Sequence, residues 1–465
     1  MLNSNELSQA IEFFEAKNYN KALSIFRKIL NEDPCNEKAL YYTCLIYRIL
    51  KKWSRCKKTA LNYIKNHGKN YEILEILGDV YFFEGNYRKA NKFFSKAAKR
   101  ANSKEKKQNL LEKLKKSKET YVKSKNKIKI ALIVEEGGDN FTDELVEGLS
   151  KYFWIRKFVI SKNQARFYRL LCLALSKNVL NSSFYKFLIK IFPGTLRKAI
   201  SWANVVWSEW LSDIAVAASY LKRKNTKLFI RLHRYEAFTE YPFWINWKNV
   251  DGIIFVAEFM KKILENRGVN LNTKVKVIYN GIDIEKLEFK NRKNGYNIGW
   301  VAYVHPRKNL HLAFEIIRKL VEKDPKYKLH IAGNFTDSMY EVYIKHLVKA
   351  MKLEKNVIFY GWIDDIDKWW EDKNYLLSTS IHESFGYNIA EAMAKGIKPI
   401  IHNFYNAKEL YDDEFLFSSV DEAVEKIKNG NYDSSYYREY IIKKGWTLEN
   451  QLKDFKRFIE KLSTN

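Results

Sequence analysis

Short apolar runs alternate with amphipathic stretches through the carboxyl-terminal two thirds of the chain, a pattern that predicts strands alternating with helices. Such alternation is typical of a parallel, doubly wound sheet. A first series of candidate strands covers residues 128–134, 204–207, 228–231, 252–256 and 274–278. A second series covers residues 298–301, 328–332, 357–360, 375–378 and 399–402. Two series predict two sheet domains, with a cleft between the carboxyl ends of their strands.

The first hundred residues have a different pattern, in which aromatic and small residues recur every 34 positions. Three sets show this spacing: Tyr19, Trp53 and Tyr87; Ala22, Cys56 and Ala90; Phe26, Ala60 and Phe94. The period is that of tetratricopeptide helix pairs, which place small residues where helices cross. We therefore expect three helix pairs. Their concave face could dock a peptide or a partner protein, and the alternative is a rigid appendage or a dimerisation surface.

The segment 383–391, ESFGYNIAE, follows a candidate buried strand and opens a helix of small residues. The N–H groups around Gly386, Tyr387 and Asn388 can hold a phosphate at the positive end of the helix dipole. Glu391, one turn into the helix, would then accept hydrogen bonds from sugar or ribose hydroxyls. The alternative is an ordinary helix start with an acidic residue near its amino terminus.

The order of several segments within residues 128–440 resembles that of the retaining glycosyltransferases of family 4. These segments are KIALIVEEGGDNF, LHRYE, FVAEFMKK, NGID, HPRKNLHLA and HESFGYNIAEAMAKGIKPI. The resemblance implies an α/β GT-B fold with two facing Rossmann-like domains, here preceded by an all-α tetratricopeptide-repeat solenoid. We expect helical repeats over 1–102, a charged helix and linker over 103–127, an acceptor domain over 128–290, and a donor domain over 291–465 whose terminal helix packs back on the acceptor domain.

The same resemblance implies roles for single residues. Glu383 is similar to the glutamate that contacts the transferred sugar, and Glu391 to the one that binds the ribose. His233, within LHRYE, resembles the histidine that reaches the donor sugar, and Glu236 is a candidate for the acceptor side. A loop that lets sugar and acceptor approach the backbone is expected at Gly137 and Gly138.

A nucleotide-diphosphate sugar also needs cations at its diphosphate, where negative charge develops as the sugar leaves. Arg307 and Lys308, in a polar turn before a helix, are the candidates. Lys308 matches the phosphate-binding lysine of the family. The usual arginine of the family is missing, because Ala302 and Tyr303 stand at its place, and Arg307 is predicted to replace it. The alternative is that both are ordinary solvated turn residues.

The expected activity is transfer of a hexose from a GDP- or UDP-sugar to a glycan, a lipid-linked saccharide or a protein, with retention and without a metal or other cofactor. Asp365 and Asp367 spell the Asp-x-Asp pattern of metal-dependent transferases, but their place before a helical stretch favours a helix cap. Two alternatives stay open. One is a repeat-guided protein O-glycosyltransferase, similar to the protein O-linked N-acetylglucosamine transferases. The other is a non-catalytic scaffold with a degenerate GT-B domain.

The formal net charge of +28 suggests an anionic partner. No acidic residue occurs over 148–208, and residues 167–192 mix Lys and Arg with aromatic and aliphatic residues. This composition predicts peripheral binding to an anionic membrane surface, and the alternative is a set of packed helices from a lysine-rich proteome. Nucleic acid is not expected as a partner, since no recognised module accompanies the charge.

The cysteines and the amino terminus bear on the compartment. Cys35, Cys44, Cys56 and Cys172 have no metal-ligand spacing, which suggests a reducing environment. The sequence predicts neither a signal peptide nor a transmembrane segment. We therefore expect a cytoplasmic protein, with peripheral attachment to the inner face of the membrane as a further possibility.

Overall fold

Seven helices precede the first strand in the computed structural model, which describes residues 2–138, 142–177, 179–191, 194–363 and 365–464. The first six form three consecutive antiparallel pairs, and this helical region is consistent with a repeat array. Its helices are Leu2–Glu15 (α1), Tyr19–Glu32 (α2), Glu37–Ile49 (α3), Trp53–His67 (α4), Tyr71–Phe83 (α5), Tyr87–Ala98 (α6) and Lys104–Ser124 (α7).

The turn inside each helix pair repeats the 34-residue spacing in its backbone. Lys17, Lys51 and Gly85 all have left-handed conformations, with φ of 59°, 52° and 69°. These three residues define the first, second and third pair turns. All three lie along one edge of the helical region.

The first sheet has six parallel strands in the order β2-β1-β3-β4-β5-β6. They are Lys129–Glu135 (β1), Trp154–Ile160 (β2), Val205–Glu209 (β3), Lys227–Leu232 (β4), Gly252–Phe255 (β5) and Lys274–Val277 (β6). The accompanying helices are Asp143–Leu149 (α8), Lys162–Ser176 (α9), Ser182–Ile191 (α10), Thr195–Trp202 (α11), Asp213–Leu221 (α12), Tyr241–Trp244 (α13) and Glu258–Asn266 (α14). Across the described ranges, no helix combines the length and apolar content needed to cross a membrane.

The second sheet is also parallel, in the order β12-β11-β10-β7-β8-β9. Its strands are Asn297–Val301 (β7), Lys328–Ala332 (β8), Val357–Gly361 (β9), Tyr375–Ser378 (β10), Lys398–His402 (β11) and Leu416–Phe417 (β12). Its helices are Leu310–Lys323 (α15), Ser338–Ala350 (α16), Ile366–Trp369 (α17), Tyr387–Ala394 (α18), Ala407–Leu410 (α19), Val420–Lys428 (α20) and Ser434–Lys443 (α21), followed by Leu448–Ser463 (α22). The GT-B architecture expected from the sequence is confirmed.

Two strands, β2 and β12, were missing from the sequence prediction. β12 is only two residues long. In β2 the pattern is hidden by adjacent cations, Arg156 and Lys157. Arg156 lies over the ring of Phe158 at 4.5 Å, and the buried Lys157 pairs with Asp143. Because these contacts accommodate both charges, an edge strand exists where the sequence indicates a basic segment.

The chain crosses between the two sheet domains twice, and the crossings lie side by side. The amide of Ile282 donates to the carbonyl of Trp446 at 3.0 Å, and that of Leu448 donates to Ile282 at 2.8 Å. After the second crossing, α22 packs Phe455 and Ile459 against the first sheet. The carboxyl terminus therefore belongs physically to the first domain.

The third pair turn docks the helical region onto the edge strand β2. The carbonyl of Gly85 accepts a hydrogen bond from Nε1 of Trp154 at 2.9 Å, and the carbonyl of Glu84 accepts one from the amide of Lys157 at 3.2 Å. A Cβ added at Gly85 would lie 2.0 Å from the carbonyl oxygen of Ile155. The docked turn also covers backbone that an exposed edge strand would offer to other chains.

We expect Gly85→Ala to lower the free energy of unfolding by about 3 kcal/mol, since left-handed strain adds to a backbone collision. Gly268→Ala is the matched control: Gly268 follows α14 with a left-handed φ of 82° and with the same backbone hydrogen-bond pattern that Gly85 has after α5, but a Cβ there would meet nothing within 4 Å. Its cost should be about 1 kcal/mol. Urea denaturation of both full-length variants measures the difference, and equal losses would contradict the docking contact.

Candidate functional site

The carboxyl ends of strands from both sheets meet around one cavity of about 490 Å³, called the cleft below. This is where open parallel sheets place their ligands. The residues lining it are Trp210, His233, Arg234, Tyr235 and Asn280 from the first domain, and Val301, Ala302, Tyr303, His305, Arg307, Lys308, Glu383, Ser384, Phe385, Gly386, Tyr387 and Asn388 from the second.

Glu383 is the buried anion of the cleft. Its Oε1 pairs with Nζ of Lys308 and accepts from Oγ of Ser380 at 2.7 Å, while its Oε2 lies 3.5 Å from Nη1 of Arg234. Burial opposes ionisation of this carboxyl, but Lys308, Ser380 and Arg234 outweigh it and hold the pKa below the ordinary glutamate value. Glu383 is therefore a fixed negative charge whose two oxygens both have partners.

Arg307 and Lys308 lie in a short turn, Pro306–Lys308, that is tied to the Glu383 loop. The amide of Ile381 donates to the carbonyl of Arg307 at 3.0 Å, and Oγ1 of Thr379 donates to that of Lys308 at 2.9 Å. Nη1 of Arg307 donates to the carbonyl of His382 at 3.1 Å. Burial lowers the pKa of Lys308, and Glu383 partly opposes this. The two cations are thus held in the cleft and are not solvated turn residues.

The helix α18 begins at the cleft. Gly386 precedes it with a left-handed φ of 79°, and a Cβ there would lie 2.8 Å from Cδ1 of Ile389. Nδ2 of Asn388 donates to the carbonyl of Val301 at 2.9 Å, which fixes the first turn of α18 against β7. The positive end of the helix dipole therefore faces the same space as Arg307 and Lys308.

The opposite wall holds His233 in a buried polar network. Its Nε2 lies 2.6 Å from Oε1 of Glu209, which also pairs with Arg231 at 3.0 Å. Nε1 of Trp207 donates to Oε2 of Glu209 at 2.7 Å. Burial raises the pKa of Glu209, but Arg231 and His233 outweigh it, so the net shift is downward. Glu209 thus fixes the orientation of the His233 ring.

Glu236, the candidate for the acceptor side, does not line the cleft. It is fully buried, and its carboxylate accepts from the amides of His233 at 3.2 Å and Arg234 at 2.9 Å. These bonds shape the turn that carries both side chains into the cleft.

Arg234 and Glu209 are the residues that sequence reasoning missed. Arg234 directly follows His233, and that adjacency is the one signal that could have found it.

Glu391, Gly137 and Gly138 are not among the residues that line the cleft. Glu391 lines a neighbouring space of about 280 Å³, called the rear cavity, beside Asp367 and Lys395, and Tyr387 is the only described residue that borders both spaces. Burial and then Asp367 raise the pKa of Glu391 to about 7, although Lys395 opposes this. The nine-residue motif therefore places its two glutamates in different environments.

The glycine turn reaches the cleft through Trp210. A Cβ at Gly138 would lie 2.8 Å from the Trp210 ring, whose centroid is 5.6 Å from that of His233. Gly137 has a φ of 103°. The next three residues of this predicted loop, 139–141, lie outside the described residues.

Asp365 and Asp367 have local partners. Asp365 accepts from the amide of Lys368 at 3.0 Å and so caps α17, as predicted. Asp367 pairs with Lys395 at 2.7 Å.

Comparisons with known proteins support a transferase domain. Residues 283–444, which make up most of the second domain, match the family model of glycosyl transferases group 1. Over 179 residues the chain is 30% identical to an uncharacterized 41.2 kDa protein in the cps region of Klebsiella pneumoniae, covering 36% of this chain and 46% of that protein. Over 155 residues it is 28% identical to the O-antigen biosynthesis glycosyltransferase WclY of Escherichia coli, covering 31% of this chain and 42% of WclY. The chain thus matches less than half the length of either relative.

A solved structure extends the likeness to both sheet domains. Anabaena Alr3699/HepE, crystallised with UDP and glucose, aligns with a TM-score of 0.55 at 16% identity. The alignment covers 72% of this chain and the whole of that one. At this identity the likeness shows the shared fold.

The raised pKa of Glu391 predicts a pH-dependent stability. Its protonated form is favoured in the folded state, so this stabilisation is complete below about pH 4.5 and is lost as pH rises through about 7. The free energy of unfolding of Glu391→Gln, measured relative to that of wild type, should therefore rise by up to about 3 kcal/mol between pH 5 and pH 8. Urea denaturation at both pH values measures this, with exposed Glu371→Gln as control. A pH-independent difference would refute the assignment.

Proposed function

We propose that this chain is a retaining hexosyltransferase, which moves a sugar from a nucleotide-diphosphate donor to a glycan, lipid-linked or protein acceptor. One observation carries the proposal. Two cations, a helix amino terminus and a buried carboxylate converge in one cleft, opposite a histidine held by its own carboxylate. The group 1 glycosyltransferase domain supplies the cationic side of that cleft.

The cationic side suits the diphosphate. Arg307 offers a planar fork and Lys308 a point charge, and the first amides of α18 add aligned dipoles. Departure of the sugar leaves extra negative charge on the diphosphate, and groups fixed before the reaction stabilise it without reorganising. In this proposal Arg307 binds the diphosphate in place of the family arginine, whose position is occupied by Tyr303 in this chain.

The sugar is placed between Glu383 and His233. The fixed negative charge of Glu383 stabilises positive charge that develops at the sugar carbon, and His233 binds a sugar hydroxyl. Both oxygens of Glu383 are engaged by Lys308, Ser380 and Arg234, which suits a stabilising charge better than an attacking nucleophile.

The proposed reaction is a same-face substitution. The bond from the anomeric carbon to the diphosphate oxygen breaks, and a bond to the acceptor oxygen forms on the same face of the sugar. The departing phosphate oxygen takes the acceptor proton. The configuration at the anomeric carbon is retained, and no metal or other cofactor takes part.

The relatives suggest the class of donor and acceptor. UDP and glucose are bound in the solved Alr3699/HepE structure, and WclY is named for O-antigen synthesis. We therefore favour UDP- or GDP-hexose as donor and a cell-surface glycan precursor as acceptor. The helical region, taken as tetratricopeptide repeats, would then bind a protein partner or acceptor.

Donor turnover tests the proposal. Purified full-length protein should hydrolyse or transfer from at least one nucleotide-diphosphate hexose, and Glu383→Gln should lower the rate roughly 10²–10³-fold by removing the charge at the reacting carbon. Glu371→Gln, an exposed carboxylate in the same domain, should leave the rate unchanged. Proton NMR of the product anomer checks retention.

The assay is repeated with a chelator. We expect the rate to persist, and a loss restored by Mn²⁺ or Mg²⁺ would refute metal independence. If the protein neither binds nor turns over any nucleotide-diphosphate sugar, the enzyme hypothesis is refuted and a scaffold is favoured. An inverted anomer on a peptide acceptor would favour the protein O-glycosyltransferase.

A membrane-facing surface on the first domain is part of the proposal. The helix α10 exposes Phe184 and Phe187, with ring centroids 6.0 Å apart, beside exposed Lys186 and Lys190. Leu170 on α9 is 65% exposed. Aromatic side chains among lysines are suited to the interface of an anionic bilayer. Attachment there would bring the cleft to lipid-linked acceptors and keep the protein at the cytoplasmic face.

Vesicle sedimentation tests this surface. Phe184→Glu with Phe187→Glu should reduce binding to phosphatidylglycerol-containing vesicles at least tenfold, because two apolar contacts become two repelling charges. Met339→Glu with Val342→Glu, a more exposed apolar pair on α16, is the control. Equal losses in both double variants would contradict a specific surface.

A further inference from the structure

A third cavity, of about 520 Å³, lies where the helical region meets the donor domain, and we call it the outer cavity. Its floor is formed at the carboxyl ends of β7, β8 and β9. Its other wall comes from the first two helix pairs. The lining residues are Asn20, Leu50 and Lys52 on the helical side, and Val301, Ala302, Tyr303, Ala332, Gly333, Trp362, Ile363 and Ile366 on the other.

The outer cavity adjoins the cleft. Val301, Ala302 and Tyr303 line both spaces, so a ligand that extends from the cleft passes directly from one to the other. Under the proposed function the diphosphate lies near Lys308 and the sugar near Glu383. The remaining part of the donor, its nucleoside, must leave the cleft on another side, and this shared wall gives it a path.

The walls of the outer cavity suit a nucleoside. The rings of Tyr303 and Trp362 are each 55% exposed, with centroids 5.7 Å apart, and aromatic rings of this kind stack on bases. The floor is kept low by Gly333, with φ of 140°, where a Cβ would lie 1.8 Å from the carbonyl oxygen of Ala302. A side chain at Gly333 would separate β7 from β8 at this point.

The helical wall has a regular origin. Asn20 and Lys52 follow the first and second pair turns, while the third pair turn is the one docked on β2. Lys58, on α4 after the second turn, reaches Glu136 after β1 at 3.6 Å. One edge of the helical region therefore spans from the first domain to the outer cavity.

We propose that the nucleoside of the donor is held between the Tyr303–Trp362 rings and the first two pair turns, so that Asn20 and Lys52 belong to the donor site. This inference rests on the proposed function. It makes the helical region a part of the binding site for a nucleoside diphosphate as well as an accessory module.

Titration of the full-length protein with UDP, GDP and inorganic pyrophosphate tests the inference. Asn20→Trp fills the outer cavity and should weaken binding of the preferred nucleoside diphosphate at least tenfold, with pyrophosphate unchanged. Ser54→Trp is the matched control, because Ser54 holds the same position one repeat later and is absent from the lining. It should bind all three ligands as wild type does. Circular dichroism checks the fold of each variant.

Lys52→Ala provides a second test that adds no bulk, and should weaken the same nucleotide about threefold. If both Asn20→Trp and Lys52→Ala bind nucleotide as wild type does, the helical wall is not part of the site. Wild type that binds pyrophosphate as tightly as UDP and GDP would also overturn the inference, while leaving the proposed transferase intact. If the wild-type protein binds none of the three ligands, the proposed function is refuted, and the inference that rests on it fails too.

Discussion

The buried ion pair between Glu383 and Lys308 joins the parts on which the site depends. It ties the loop after β10 to the turn after β7, and Arg234 connects the same carboxylate to the facing domain. Burying charges costs free energy that only close partners offset, and removing one partner typically costs about 3–5 kcal/mol. The cluster therefore forms as a unit. Under the proposed function, an arriving diphosphate would pair with Lys308 while Ser380 and Arg234 keep Glu383 ionised.

Much of this site could be predicted because its residues share a topological position. Lys308, Glu383, Gly386 and His233 each follow a strand, and parallel strands bring such positions to one sheet edge. Glu209 and Arg234 lie at the same sheet edge, at the end of β3 and after β4, but this position alone does not reveal what they do. Their roles depend on partners far along the chain: Glu209 contacts His233, and Arg234 contacts Glu383. Nor could spacing show that Glu391 faces a different cavity from Glu383, since that depends on how α18 lies between the domains.

The fold was predictable to a similar depth and for similar reasons. Strands buried on both faces appear as apolar runs, and the runs ending at Ala332 and Ser378 coincide with β8 and β10. The strand β2 did not show this pattern, because it lies at the edge of its sheet and its cations are accommodated by aromatic rings and by Asp143. The helical array that covers this edge was visible in the sequence as a 34-residue period, but its contact with β2 was not.

The position of the helical edge has a mechanical consequence. One end of this edge is hydrogen-bonded to the first domain at Gly85, while the turns at Lys17 and Lys51 overhang the second. Rotation of the two sheets about their paired crossings would therefore change the width of the space beneath the overhang. A molecule that fills this space resists such rotation, and domain angle and ligand occupancy become thermodynamically coupled variables. The distance between the first two pair turns and the second domain therefore depends both on the angle between the sheets and on the molecule bound between them.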